Sequence, residues 1–407
     1  MPHDPTVVLV GTLDTKGAEY AFLRRRLEDA GLRVLVVDVG TLGEPQAAPD
    51  VPREQVAEAG GIDLAALTTA ADRGAAVSAM AGAVQVVVRR LYDEGRCSGV
   101  LGAGGSGNTA IATAAMRALP VGVPKLMVST MASGDTTDYV GVSDVVMMPA
   151  VADVAGLNPV SARVLANAAA AMAGMVTAAP VDVSAHCPVV AATMFGVTTP
   201  AVTAARAELE RRGYEVVTFH ATGTGGRAME ELIGSGLVAG VLDLTTTELA
   251  DELVGGVLSA GPHRIEAAGR RGLPQVVSLG ALDMVNFGPR ETVPSRFADR
   301  TLYVHNPSVT LMRTTTDECA ELGRRLAGKL SAATGPVAVF VPLRGVSALS
   351  VAGAPFHDRA ADEALFTALR SSLAPHVERY ELDTDVNDPE FAAAMAARLD
   401  TFMGGRQ

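Results

Sequence analysis

The chain has 407 residues, 33 Lys+Arg against 45 Asp+Glu and a formal net charge of -12; hydrophobic residues make up 48%, charged residues 19% and aromatics 4%, with no Trp. At roughly 150 residues per domain the length fits two or three globular domains, the apolar content excludes a disordered chain, and the acidic balance excludes a general nucleic-acid binder, which needs basic surface. Cys97, Cys187 and Cys319 lie far apart without CxxC or CxxH spacing, which excludes a disulfide framework and a zinc site.

Short β-branched runs alternate with helical stretches along the whole chain. Residues 6–10 form a continuous apolar run that ends at Gly11. The spacing of Tyr20, Leu23, Leu27 and Ala30 predicts a helix closed by Gly31, where a left-handed residue costs little. Further strands are predicted over 33–38, 99–101, 125–130 and 144–148, with a long helix over 74–94 and an Ala-rich one over 161–178. The pattern then restarts. Strands are predicted over 188–195, 214–220, 237–244, 275–279, 301–305 and 336–341, and helices over 201–212, 316–330 and 358–373.

Runs that are apolar throughout, rather than alternating, belong to strands buried on both faces. The reading is an α/β fold of two Rossmann-like domains, with mainly parallel sheets covered by helices on both faces. The N-terminal domain is expected over 1–183 and the C-terminal one over 184–407, divided in the Pro-containing stretch 179–187. The apolar runs 75–88 and 164–181 read as core helices: the first is short for a bilayer, and the second is Ala- and Gly-rich and holds Asn167. No basic region precedes the first apolar run, so it reads as a strand and not a signal peptide. The expected location is the cytoplasm, with no membrane or nucleic-acid partner.

In doubly wound sheets ligands bind at the carboxyl ends of the strands. After the first strand, Gly11-Thr12-Leu13-Asp14-Thr15-Lys16-Gly17 sets two hydroxyls, a carboxylate and a cation beside a helix N-terminus, whose N–H groups and dipole suit a phosphate. The alternative is that Asp14 or Thr15 merely caps the helix. It is not a Walker A loop, because Lys16 precedes Gly17. After the third strand, Gly102-Ala103-Gly104-Gly105-Ser106-Gly107-Asn108-Thr109 contains GxGxxG and lets the backbone approach a phosphate. The next strand ends in Val128-Ser129-Thr130 with no acid for a ribose, so a phosphate or carboxylate cradle, or a turn chosen for packing, is the reading here. The following loop, with Ser133, Gly134, Asp135 and Thr136, is dense in hydroxyls; Asp135 or Asp138 could hold Mg²⁺ or cap the loop. Asp153 and Asn158 form another polar edge of the same cleft.

In the second half, His220 opens a Gly-rich anion loop containing Thr222, Gly223, Thr224, Gly225, Gly226 and Arg227. GxGxxA is formally present at Gly223, Gly225 and Ala228, with Asp243 at the end of the next strand; the run from Leu244 to Glu248 also reads as a capped helix start. His305, with Arg313 nearby, and then Arg344 and His357 also follow strands. Arg313 and Arg344 suit carboxylate or phosphate recognition, and His220, His305 or His357 acid–base work. No GxSxG elbow supports serine-hydrolase chemistry.

Loops 11–17, 102–109 and 129–136, the stretch 148–158, and then 222–226, 243–248, 280–288, 305–313 and 342–358 form one ordered series. Over nearly the whole chain it resembles the bacterial and plant family named for the ATP-binding, tobamovirus-inhibiting domain of the tomato mosaic virus resistance protein. The resemblance implies two Rossmann-like domains, ATP binding and a homodimer or higher homo-oligomer, and leaves the reaction open. It makes the first-domain loops the nucleotide site, within which the residues point to Thr12, Asp14, Thr15, Lys16, Gly104, Gly105, Ser106, Gly107, Asn108, Thr109, Ser133, Gly134, Asp135 and Thr136 as the candidates, with Asp135 expected on Mg²⁺. The expected function is an ATP-dependent enzyme, by phosphoryl transfer or ligation, acting on a small anionic metabolite between the domains. Lys16 would neutralise phosphate charge. Thr222 to Gly226, Arg313 and Arg344 would hold the metabolite. The alternatives are a nucleotide-dependent binding protein without turnover, and an NAD(P)-dependent oxidoreductase using Gly223 to Gly226 with Asp243.

Overall fold

The computed structural model describes residues 5–70, 72–179 and 187–405. The expected boundary stretch therefore lies outside the described residues, apart from its two ends. The chain divides into two compact units, 1–182 and 183–407.

In the first unit, β1 (Thr6–Gly11), β2 (Arg33–Asp38), β3 (Gly99–Gly104), β4 (Lys125–Ser129) and β5 (Val146–Pro149) form one parallel sheet in the order β2-β1-β3-β4-β5. Successive side chains of a strand face opposite ways. Val7 and Leu9 of β1 thus enter one layer with Leu101, Leu126 and the helices Leu13–Glu28 and Pro159–Thr177. Val8 and Val10 enter the other with Val100, Met127 and the helix Arg73–Asp93. Every residue of β1 and β3 is buried, which is why both read as uninterrupted apolar or small runs. Gly31 follows the first helix at φ +81°, the left-handed position its place predicts.

Two strand boundaries in this unit differ from the prediction by more than one residue. β3 runs on to Gly104, because Gly102, Ala103 and Gly104 keep pairing with Met127, Val128 and Ser129. β5 starts after Asp144, whose carboxylate instead meets the buried Lys125 ammonium at 2.5 Å. The helices Arg73–Asp93 and Pro159–Thr177 have the length and composition of membrane spans. In this unit Met80, Val84 and Val88 of one, and Leu165, Ala169 and Met172 of the other, belong to the two core layers.

The second unit holds β6 (Val189–Met194), β7 (Glu215–His220), β8 (Gly240–Thr245), β9 (Gln275–Gly280), β10 (Met284–Phe287), β11 (Leu302–Asn306), β12 (Val309–Arg313), β13 (Val337–Pro342) and β14 (Glu378–Leu382). Six of them form a parallel sheet in the order β14-β13-β9-β8-β6-β7. Counted from β6, this repeats the strand order of the first unit and adds one strand. Between β9 and β13 the chain inserts an antiparallel sheet, β10-β12-β11. Neither β10 nor β12 is predicted, because their residues fall in the stretches 280–288 and 305–313, which read as strand-end loops, whereas β11 is. β14 is also missed, because an edge strand reading Glu-Arg-Tyr-Glu-Leu has little buried face to mark it.

β10 is anchored to the helix Glu248–Val254 through buried Asp251. That carboxylate accepts from Asn286 N at 3.0 Å, Asn286 Nδ2 at 2.6 Å and Leu258 N at 3.2 Å. Burial outweighs these bonds and pushes the Asp251 pKa from 3.8 up to about 7. The folded protein then holds this proton more tightly than the unfolded chain. Its contribution to stability is full below 3.8 and is lost as pH rises toward about 7. Asp251→Asn, which mimics the protonated acid, should flatten that fall. Urea midpoints of both proteins across the window measure it, and identical pH profiles would refute the assignment.

Candidate functional site

The helices after β1 and β3 leave the sheet on opposite faces. Helix Leu13–Glu28 packs beside Val7 and Leu9, while helix Ser106–Arg117 gives Ile111, Ala112 and Ala115 to the layer of Val8 and Val10. Where connections reverse in this way the loops part and leave a crevice at the carboxyl ends of the strands. Tyr20 bridges the two strands there. Its ring lies against Gly11, where a Cβ would come within 2.1 Å of it. Its hydroxyl donates to the Val10 carbonyl at 2.5 Å and accepts from Ala103 N at 2.8 Å and Asn108 Nδ2 at 2.9 Å. Burial drives the phenol pKa well above its ordinary value, so the hydroxyl keeps its proton as a donor.

A cleft of about 460 Å³ opens at this point, within the range of about 300–1,000 Å³ usual for small-molecule sites. Thr12, Asp14, Thr15 and Lys16 line it after β1, and Gly105, Ser106, Gly107 and Asn108 after β3. Helix Ser106–Arg117 starts here at Gly105, with no side chain capping it. The first-turn N–H groups of a helix have no intrahelical partner, so these face the site as donors. Lys16 leaves helical geometry inside its own helix, at φ −128° and ψ 18°, and its ammonium donates to the Val154 carbonyl. No carboxylate pairs with Lys16 among the described residues. None pairs there with Arg73 either, which lines the cleft beside Gly107. Val39, Leu42, Ala76, Val77 and Ile111 add an apolar wall.

Asp14 does not cap its own helix. Its Oδ2 accepts from Leu42 N at 2.7 Å and Gly43 N at 3.3 Å, which fastens the loop after β2. Gly40 makes room for this carboxylate, since a Cβ there would fall 2.6 Å from the Asp14 carboxyl carbon and force it to move. Asp38, the last residue of β2, accepts from Leu13 N at 3.0 Å and Gly40 N at 2.9 Å through one oxygen. Burial, and then the charge of Asp14, raise its pKa against the pull of those N–H groups. The second oxygens, Asp14 Oδ1 and Asp38 Oδ2, are buried without a partner among the described residues, and so is Asn108 Oδ1.

The remaining first-unit candidates fall outside the cleft lining. Gly104 ends β3, packed against Asn108. Thr109 is buried and spends its hydroxyl on Gly105 O at 2.8 Å and Ser129 Oγ at 2.7 Å. Ser133, Gly134 and Asp135 are exposed and Thr136 is half-buried. Asp135 accepts from Thr137 N at 2.9 Å and Thr137 Oγ1 at 2.6 Å, bonds that lower its pKa. It serves the turn at Thr137–Val140 and does not line the cleft, which corrects its expected place on Mg²⁺. No trio of His, Cys, Asp or Glu forms a metal cage among the described residues. A nucleotide-borne Mg²⁺ requires only one or two carboxylates besides phosphates and waters, and Asp14 fits that donor set. Sequence reasoning missed Val39, Leu42, Arg73, Ala76 and Val77. The first two follow β2, so strand-end logic could have found them.

In the second unit, β6 and β8 are the corresponding reversal. Helix Thr199–Arg211 packs with Val190 and Ala192, and helix Glu248–Val254 with the opposite layer. Here the chain fills the crevice itself. Buried Arg264 donates to both oxygens of Asp243, at 2.5 and 2.8 Å, to Glu248 Oε2 at 2.7 Å and to Glu230 Oε1 at 3.3 Å. Glu248 Oε1 accepts from Gly223 N at 2.7 Å and Gly226 N at 3.0 Å. A Cβ at Gly226 would meet Glu248 Oε2 at 2.1 Å, and one at Gly225 the His220 carbonyl at 1.8 Å. The loop donors expected to meet a metabolite or a dinucleotide are thus held by an internal carboxylate, and Asp243 by Arg264.

Arg313 is likewise internal: it donates to Phe356 O at 2.9 Å and Asp362 Oδ1 at 2.5 Å, so it is not free for a substrate. Arg344 is exposed and paired with exposed Asp383. Thr222, Thr224, His220, His305 and His357 are exposed. No hydrogen bond or ion pair joins the three histidines among the described residues.

Comparison with known sequences returns the same two units. Residues 5–180 match the N-terminal domain, and residues 187–403 the C-terminal domain, of the "Uncharacterised protein family (UPF0261)". The chain belongs to the UPF0261 family. A UPF0261 protein of Clostridium tetani is 50% identical over 398 residues, 98% of each chain. The ToMV resistance protein Tm-1(GCR237) of Solanum lycopersicum is 41% identical over 424 residues, which span 98% of this chain and 56% of that protein. Among solved structures, UDP-N-acetylglucosamine 2-epimerase from Rickettsia bellii aligns over 98% of this chain and 96% of its own at 10% identity and a TM-score of 0.22. The UDP-GlcNAc 2-epimerase of Methanocaldococcus jannaschii, in complex with UDP-GlcNAc and UDP, aligns over 67% and 83% at 8% identity and 0.25. Likenesses of that size say nothing further about this chain.

Tyr20→Phe tests the bridge in this UPF0261 protein. It would leave Val10 O, Ala103 N and Asn108 Nδ2 short of a partner and should lower the unfolding free energy by about 1–3 kcal/mol. An unchanged urea midpoint would show that the hydroxyl does not hold the two strands.

Proposed function

We propose that the first unit of this UPF0261 protein binds ATP and that the protein uses it, by phosphoryl transfer or ligation, on a small anionic metabolite. One observation carries the reading. An uncapped helix start lies at a switch-point cleft together with two cations, Lys16 and Arg73, that have no carboxylate partner among the described residues. Free N–H groups, a positive helix end and unpaired cations together favour phosphate. The second unit supports this by contrast. The same strand order there has its crevice closed by Arg264 and three carboxylates.

The phosphates would lie along Gly105 to Asn108, with Lys16 offsetting charge that shifts during transfer. Val39, Ala76, Val77 and Ile111 offer a base an apolar face, and Thr12 and Thr15 offer hydroxyls to a ribose or a phosphate. Mg²⁺ would neutralise phosphate charge when bound, and a carboxylate of the cleft lining, Asp14 or Asp153, would hold it. Of the second-unit candidates, Arg344, His220, His305 and His357 are exposed and able to meet a metabolite, whereas Arg313 is not.

Calorimetry of ATP with Mg²⁺ should show one site per chain. Lys16→Ala should weaken binding roughly ten- to hundredfold, the equivalent of about 1.5–3 kcal/mol for one charge-assisted contact. No heat and no thermal shift with ATP would sink the reading.

A further inference from the structure

We infer that the divalent cation accompanying the nucleotide is held by Asp14 Oδ1, with Asn108 Oδ1 receiving one of the cation's waters; this rests on the nucleotide reading above. Both residues line the cleft, Asp14 is 7% and Asn108 5% exposed, and both oxygens lack a partner among the described residues. Both groups are also locked in orientation. Leu42 N and Gly43 N fix Asp14 through Oδ2. Asn108 cannot turn its amide over, because Nδ2 donates to the Ala103 carbonyl at 2.9 Å and to Tyr20 Oη at 2.9 Å.

The cleft is therefore lined by donors at the helix start and by two fixed side chains that each keep one oxygen without a partner among the described residues. A bare phosphate satisfies the first and is repelled by the second. A hard cation carried by the phosphates satisfies both. Mg²⁺ binds through one or two carboxylates, substrate phosphates and retained waters, which matches a donor set of one carboxylate and one neutral amide oxygen. Asp38, whose Oδ2 is also unpartnered among the described residues, does not line the cleft. Asp153 also lines the cleft but is exposed, with neither oxygen fixed by a hydrogen bond among the described residues. The donor set contains no His or Cys, so it selects a hard cation over zinc.

Fe²⁺ can replace Mg²⁺ and, with ascorbate and peroxide, cuts the backbone beside the bound ion. With ATP present, cuts in the wild-type chain are expected within 12–16, 40–43 and 106–108, and excess Mg²⁺ should suppress them. Cuts confined to 133–138 would overturn the assignment in favour of Asp135. In protein shown by calorimetry to bind ATP, the absence of any Mg²⁺-suppressed cut would overturn it and leave the nucleotide reading standing. ATP affinity in Mg²⁺ and in EDTA gives a second measure. Asp14→Asn should lose the Mg²⁺-dependent gain, on the order of tenfold or more, and should bind ATP in EDTA more tightly than the wild type, because it removes the charge that repels a bare phosphate. An equal gain in both proteins would overturn the inference. No ATP binding to the wild type in either condition would sink both readings.

Discussion

Two neighbouring parallel strands whose chains depart to opposite faces of the sheet cannot close the space beyond their ends. This reversal occurs once in each unit, at β1/β3 and at β6/β8, and each unit answers it differently. The first unit ties the strands together with one phenol, placed by a glycine that leaves room for its ring. The second packs a guanidinium against three carboxylates. Such a cluster gains little net stability, because the desolvation of each charge offsets most of the attraction. Its value lies in geometry: the five donors of Arg264 reach Asp243, Glu248 and Glu230, which sit on different elements. It also fixes Ile265 at φ +73°, a left-handed setting that a β-branched residue resists; Glu230 accepts from Ile265 N at 2.6 Å.

The open crevice and the loop after β2 are one mechanical system. Asp14 stands in the loop after β1 but holds Leu42 and Gly43, and Arg53 donates to the Gly43 carbonyl from the other side. A ligand that engages Asp14 therefore acts on both loops at once. Leu42 is 70% exposed although it lines the cleft, so this wall has apolar surface still to cover.

Much of the fold was legible because the central strands are buried on both faces, and residues 6–11 or 275–280 have no polar alternation to disguise them. Of the inserted strands, β10 and β12 were hidden inside stretches that read as loops, and the polar edge strand lacked that signal. The loops after β1 and β3 were legible because strand ends attract ligands whatever the side chains. Arg73 and Val77 were not, since the rotation of a long helix decides which residues reach a cleft, and no local pattern encodes it. The Gly223 to Gly226 loop looked like an anion site and is one. Its anion, Glu248, lies 25 residues from Gly223, in a stretch whose acidic start resembles an ordinary helix cap. Asp135 misled for the opposite reason: its partner is two residues away, and local capping is the commoner use of such an Asp.

Glu248 can also be viewed as a ligand tethered by the backbone. A group tied this way competes at an effective concentration set by chain geometry, beyond what a dissolved anion reaches. The N–H groups of Gly223 and Gly226 are therefore saturated at every metabolite level, and their occupancy reports nothing about the surroundings. Sensitivity to dissolved anions is confined to loops that lack such a tether.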